Sequence, residues 1–139
     1  MFAGTLIPSL PSNVEYGLLP NCIENTSYMF YYCTSLRGGI PNNLFNTNTN
    51  LTSLAYMFAY TGILYEVKNA DLNLIMTPVD IKTQTPNVTN VSGLFMYHRP
   101  SGYGNYLQRV KNDSFENCTN LSYIFAYSPN PISNGFVDD

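Results

Sequence analysis

A short apolar motif recurs five times along the chain. Each copy has phenylalanine at its second position, and successive copies begin 28, 28, 37 and 30 residues apart. Self-similarity at a period near 28 residues predicts a solenoid, in which stacked units bury a shared core. We call each copy a repeat station: Met1-Phe2-Ala3, Met29-Phe30-Tyr31, Met57-Phe58-Ala59, Leu94-Phe95-Met96 and Ile124-Phe125-Ala126.

The apolar positions around the stations predict a short helix in each unit. Leu54, Met57 and Phe58 stand at i, i+3 and i+4, which places them on one helix face. The same spacing recurs at 91, 94 and 95 and again at 121, 124 and 125. Asn, Thr and Ser residues precede the stations, and these residue types are favourable helix N-caps.

Apolar segments that follow the stations predict brief strands. They span 36–40, 63–67 and the stretch around Ile132, with glycine and proline residues nearby to turn the chain. The predicted fold is therefore an α/β repeat, a leucine-rich-repeat-like solenoid of short strands and helical turns. Its predicted core consists of Met29, Phe30, Leu36, Met57, Phe58, Leu94, Phe95, Ile124 and Phe125.

The repeat pattern assigns the whole chain, residues 1–139, to a single array. Its units start near positions 1, 29, 57, 94 and 124, and insertions lengthen it at 61–86 and 98–111. Met1 falls on a station, and no atypical capping unit stands at either end. Because solenoids normally close their ends with such caps, we expect the array to be a fragment of a longer protein.

Composition and charge exclude several classes of partner. Hydrophobic residues make up 45% of the chain and charged residues only 11%, under half the usual quarter. The net charge is −3, and the six Lys and Arg residues do not cluster. Nucleic-acid binding requires a basic footprint, so no nucleic-acid partner is predicted. The apolar runs are too short to span a bilayer, and no membrane insertion is predicted.

Catalytic and metal-binding motifs are missing from the sequence. It has no paired-carboxylate motif, no glycine-rich phosphate loop and no nucleophile elbow. Three cysteines form no CxxC pair and accompany a single histidine, His98, which favours buried free thiols over a metal site. We therefore predict a protein that is not an enzyme and that uses no cofactor and no metal.

Tyrosine is the residue type that suggests a binding surface. Seven of the twelve tyrosines fall into two columns, one before and one after the station. Tyrosine combines an apolar ring with a polar tip, which suits both sugars and protein partners. Rings that stack on one another to stabilise the array are the alternative interpretation. The first column is Tyr28, Tyr56 and Tyr123, and the second is Tyr32, Tyr60, Tyr97 and Tyr127.

A second candidate binding segment is the insertion at 98–106. It contains Arg99, Tyr103 and Tyr106 among glycine and proline residues, and loops on a rigid scaffold often carry binding residues. A flexible excursion without function is the alternative. Several N-x-S/T sequons recur with the repeat, and we interpret their asparagines as caps rather than as glycosylation sites.

The motifs around the stations resemble a known family. The segment 87–95, NVTNVSGLF, resembles the core of the BspA-like leucine-rich repeats, including their DUF285 type. The segments 30–36 and 115–121 match the FxxCxxL element of that family, and 39–45 is similar to connecting segments in arrays from gut bacteria and their phages. The resemblance covers most of the chain and carries no catalytic residue across.

The resemblance implies a protein displayed outside the cell. We expect a recognition or adhesion module of the cell surface that binds protein or glycan through its repeat faces. The alternative is a structural component of a virion, such as a phage capsid decoration or fibre part, whose repeats pack against other copies.

Overall fold

The computed structural model describes residues 1–10, 21–37, 40–41, 44–45, 48–63, 65–67, 80–97, 105–107, 110–111, 113–128 and 136–137. The described part contains one helix, α1 (Ile81–Gln84), and four strands. The strands are β1 (Tyr65–Val67), β2 (Asn105–Leu107), β3 (Val110–Lys111) and β4 (Phe136–Val137). Most other described residues form turns.

The repeat stations are built from turns, so the prediction of a helix at each station is wrong. In the second unit the amide of Met29 donates to the carbonyl of Thr26, that of Tyr31 to Tyr28 and that of Cys33 to Phe30, at 3.0–3.2 Å. These are three successive i→i+3 turns. A helix would need i→i+4 bonds throughout, but every second amide is instead bonded to the neighbouring unit.

The amides between the turns form a ladder from unit to unit. Those of Thr26, Tyr28, Phe30 and Tyr32 donate to Ser53, Ala55, Met57 and Ala59, at 2.9–3.0 Å. The third unit donates in the same way to carbonyls of residues 90–96, and the fourth to carbonyls of residues 120–126. The five stations therefore form one stack in chain order. The leucine-rich-repeat-like class itself stays a prediction.

A column of phenylalanines runs through the stack and forms the centre of the core. The rings of Phe2, Phe30, Phe58, Phe95 and Phe125 follow one another at centroid distances of 5.5, 5.6, 6.1 and 5.5 Å, with planes within 17° of parallel. Met29, Leu36, Met57 and Leu94 are buried beside the column. In the last unit Ile124 and Phe125 are half-buried against the same core.

The predicted strands have different outcomes. Within 36–40 the described residues form only two isolated parallel bridges, in which Arg37 pairs with Ser9 and with Gly62. Strand β1 lies within the predicted segment 63–67, but it pairs antiparallel with β2 rather than with the next unit. Strands β1 and β2 thus join the two insertions, 61–86 and 98–111. β3 pairs parallel with β4, and the segment around Ile132 lies outside the described residues.

Asparagines begin the turn series, although no helix follows them. The Oδ1 atoms of Asn25, Asn90 and Asn120 accept from the amide two residues later, at 2.8–3.2 Å. The predicted caps are therefore Asx turns. A second set, also in sequons, ties neighbouring units together, because Asn50, Asn87 and Asn117 donate to backbone carbonyls of residues 21, 49 and 86.

The short helix α1 is attached to the unit that follows it. Asp80 accepts from the amide of Thr83, and the amide of Ile81 donates to Ser114 Oγ at 2.8 Å. On the surface, Lys82 forms ion pairs with Glu116 and Asp113. These bonds raise the pKa of Lys82 and lower that of Asp113. The three side chains are solvent-exposed, and exposed ion pairs contribute little to stability. These pairs therefore orient α1 more than they stabilise the fold.

Candidate functional site

The predicted tyrosine columns occupy an unusual backbone conformation. All seven tyrosines have positive φ, between 52° and 61°. Five of them are the third residue of a turn closed by an i→i+3 bond, a position that favours glycine when φ is positive: Tyr28, Tyr32, Tyr56, Tyr123 and Tyr127. Glycine does occupy the corresponding positions in the first and fourth units, where Gly4 and Gly93 have φ of 71° and 59°. The left-handed conformation costs about 1–2 kcal/mol for a residue with a side chain.

The second column is continuous, and its rings contact one another. Tyr32 and Tyr60 are 5.4 Å apart with planes tilted by 49°. Tyr60 and Tyr97 stack at 4.6 Å and 15°, and Tyr97 and Tyr127 at 4.4 Å and 10°. Stacked aromatic pairs contribute about 0.5–1.5 kcal/mol each, which offsets part of the backbone cost. We call Tyr32, Tyr60, Tyr97 and Tyr127 the tyrosine ladder.

The first column is interrupted at the fourth unit. Tyr28 and Tyr56 stack at 5.0 Å and 9°, but the next position is Gly93. The ring of Tyr56 lies directly over this glycine, since a Cβ there would be 2.2 Å from Tyr56 Cε1. Tyr123, beyond the gap, is 65% exposed. Only the ladder therefore offers an uninterrupted aromatic row.

Stacking decides which part of the ladder can meet a ligand. Tyr97 has a neighbouring ring on each face, Tyr60 on one side and Tyr127 on the other. A sugar or peptide therefore cannot lie flat on this ring, and it would meet the ring edges and the hydroxyl groups. The ladder is consequently a row of amphipathic edges, with Tyr32 and Tyr127 about half and more than two-thirds exposed.

A groove of about 280 Å³ opens beside the ladder. Its volume is close to the lower end of the range of ordinary ligand sites, about 300–1,000 Å³. Threonine hydroxyls and one arginine accompany the aromatic rings. The lining residues are Tyr32, Thr34, Arg37, Tyr60, Thr61 and Tyr97.

The structure adds residues to the site that the sequence pattern did not single out. Arg37 lies in the groove, whereas the predicted arginine, Arg99, and Tyr103 lie outside the described residues. Tyr106 belongs to β2, of which only the backbone is described. Tyr31 lies between the columns and contacts Tyr28 and Tyr60 edge-on, at 5.4 and 5.5 Å. The signal that could have revealed Arg37 is its position just after the FxxCxxL element.

The described residues contain no group of three His, Cys, Asp or Glu side chains that could hold a metal ion. Cys33 is buried, and Cys118 is half-buried with its thiol pKa raised by desolvation. The thiol of Cys33 donates to the carbonyl of Phe2 at 3.0 Å, so it joins two units. Cys22 is exposed, which corrects the expectation that it is buried. No described helix is long and apolar enough to cross a membrane.

The backbone strain at the tyrosines gives a direct stability prediction. Replacing Tyr32 with glycine is expected to leave the protein about 1 kcal/mol more stable than replacing it with alanine, because alanine keeps the unfavourable positive φ. Urea unfolding of the two variants measures this difference. Tyr31 lacks the positive φ, so there the alanine variant should be more stable than the glycine variant. If the alanine variant were also the more stable one at Tyr32, the proposed backbone strain would be contradicted.

Comparison of the chain with protein-family models, curated proteins and solved structures gives no match. The resemblance to BspA-like repeats therefore stays a prediction, and the ladder and the groove are the features of the molecule that point to a function.

Proposed function

We propose that this chain is a non-enzymatic recognition or adhesion module of the cell surface, which binds a protein or glycan through the tyrosine ladder. The observation that carries the proposal is the continuous row of ring edges from Tyr32 to Tyr127, with Arg37 in the adjoining groove. Such a row is extended enough to contact a partner across several units.

The chemistry of the ladder supports binding rather than catalysis. Tyrosine and arginine are enriched among the residues that contribute most to interfaces, because they combine apolar area with directional hydrogen bonds. The ladder is also held rigidly by backbone bonds on each side, such as Tyr60 N to Met96 O at 2.8 Å. A preorganised surface loses less conformational entropy when a partner binds. The resemblance to BspA-like repeats supports an extracellular location.

A binding screen with a conservative double variant tests the proposal. The full chain is applied to arrays of extracellular proteins and oligosaccharides, beside the variant with Tyr32→Phe and Tyr60→Phe. Phenylalanine keeps the stacking and the backbone conformation but removes two hydroxyls. We expect binding to weaken by about 3–10-fold per lost hydrogen bond.

The matched control is Tyr123→Phe, which removes a hydroxyl from the interrupted column. It should leave binding unchanged. Retention of full affinity by the double variant, or an equal loss in the control, would show that the ladder is not the binding surface.

A second candidate function is a structural role in a virion, in which the stack packs against other copies. It is favoured by the apolar residues exposed in the outer units, among them Met1 at 89%, Leu6 at 78% and Leu121 at 43%. A neighbouring subunit could cover them. Sedimentation velocity at increasing concentration tests this role: ordered assemblies support it, and a protein that stays monomeric at every concentration counts against it.

A further inference from the structure

The guanidinium of Arg37 is oriented by the backbone around it. Its Nη1 donates to the carbonyls of Thr34 and Leu36, at 2.5 and 2.9 Å. The absence of a side chain at Gly62 makes room for it, since a Cβ there would lie 2.6 Å from Arg37 Cδ and 3.1 Å from Nε. The two carbonyls are neutral, so these bonds orient the guanidinium without neutralising its positive charge.

The hydrogen bonds of Arg37 Nη1 differ from those of the described lysines. Lys82 contacts the carboxylates of Asp113 and Glu116, and Lys111 Nζ lies 3.4 Å from Asp80. Those two lysines form ion pairs on the surface near α1. Arg37 lines the groove together with tyrosines and threonines. A planar guanidinium matches the geometry of a carboxylate better than that of any other common biological group except phosphate.

The other groove residues suit a hydroxylated ligand. The ring edges of Tyr32 and Tyr60 carry hydroxyls that both donate and accept. Thr34 is exposed, whereas the Thr61 hydroxyl is already bonded to the carbonyl of Phe58 at 2.7 Å. The volume of about 280 Å³ admits the end of a ligand rather than a long segment of it. An acidic side chain would use the arginine alone, but an acidic sugar would use the hydroxyls as well.

We infer that this groove binds the carboxylate-bearing terminal residue of an acidic oligosaccharide. The carboxylate contacts Arg37, and the ring hydroxyls contact Tyr32 and Tyr60. The inference rests on the proposed recognition function and names the ligand class for the same surface. Gly62 is the residue that positions the arginine.

Calorimetric titration with matched pairs of sugars tests this assignment. The probes are trigalacturonate against its methyl ester, and sialyllactose against its methyl ester, each titrated into the full chain. In each pair the second sugar lacks the carboxylate. We expect at least one acidic probe to bind about tenfold or more tighter than its neutral partner. Arg37→Gln should abolish that preference, and Arg37→Lys should keep part of it, because lysine retains the charge without the fork.

Unfolding curves of the variants accompany the titrations. If Arg37→Gln does not fold, Arg37→Lys and the salt dependence carry the test. The preference for the acidic probe should fall as NaCl is raised, and a preference that salt leaves unchanged overturns the inference. Equal binding of acid and ester also overturns it, as does an unchanged preference in a folded Arg37→Gln.

The outcomes separate this inference from the proposed function. Neutral sugars or proteins that bind through the Tyr32 and Tyr60 hydroxyls, without any preference for acid, would sustain the recognition function and overturn the acidic ligand. Arg37-dependent binding of polyglutamate, with no acidic sugar bound, would also sustain the recognition function, but it would overturn the oligosaccharide as the ligand. If the chain bound no sugar and no protein, both the acidic-ligand inference and the proposed recognition function would be overturned.

Discussion

Replacing Phe58 with alanine is expected to lower the free energy of unfolding by about 3–5 kcal/mol. Phe58 is fully buried at the centre of the phenylalanine column, with parallel rings at 5.6 Å on one side and 6.1 Å on the other. Truncation removes the stacking contacts with Phe30 and Phe95 and leaves a cavity. The neighbouring side chains cannot fill it, because their backbones are fixed by the hydrogen bonds between units.

Chemical denaturation of the two proteins measures this loss, and Phe2→Ala is its matched control. Phe2 belongs to the same column but is 39% exposed and stacks on one ring, Phe30. Its truncation should cost about 1–2 kcal/mol, from less buried area and one lost pair. Equal losses at the two positions would show that the column is not a continuous core.

Replacing Gly93 with alanine is expected to destabilise the protein by about 2–3 kcal/mol. Two costs combine. The positive φ of 59° becomes unfavourable by about 1–2 kcal/mol once a Cβ is present. The new Cβ would also meet Tyr56 Cε1 at 2.2 Å and Cδ1 at 2.4 Å, so the ring has to leave its place on Tyr28. Losing that stacked pair costs about 0.5–1.5 kcal/mol.

The control is Gly4→Ala, which also places a side chain at a positive φ but causes no steric clash. Gly4 has a φ of 71°, and a Cβ there would meet nothing within 4 Å. It should cost about 1 kcal/mol by urea unfolding. A loss at Gly93 no larger than that at Gly4 would refute the close packing of Tyr56. When Gly93→Ala is added to the Tyr56→Ala variant, the clash with the ring is absent. The further loss of stability should then equal the backbone cost alone.

Part of the candidate site follows from the sequence. The offsets of Tyr60, Tyr97 and Tyr127 from their stations identify them as one column, and the structure places their rings side by side. Arg37 could not be assigned in this way. Its place in the groove depends on Gly62, 25 residues later, where a missing side chain makes room for the guanidinium.

The structure of the stations illustrates why periodicity alone misled the prediction of secondary structure. Leu54, Met57 and Phe58 are all buried, as an amphipathic helix would require. Successive turns bury the same positions, because each turn brings its first and fourth residues close together, as it does Leu54 and Met57. Seven tyrosines at positive φ exclude a helix, but tyrosine gives no sequence signal for that conformation.

The sequence by itself determined the period, the identity of the buried positions and the alignment of the tyrosines, because each of these depends only on which residue type recurs at which offset. The tertiary structure alone decided the backbone conformation and the binding surface. An amide such as that of Tyr28 can donate either to a carbonyl of its own unit, as in a helix, or to a carbonyl of the next unit, as it does here to Ala55. That choice depends on the stacking of whole units, so no local pattern encodes it.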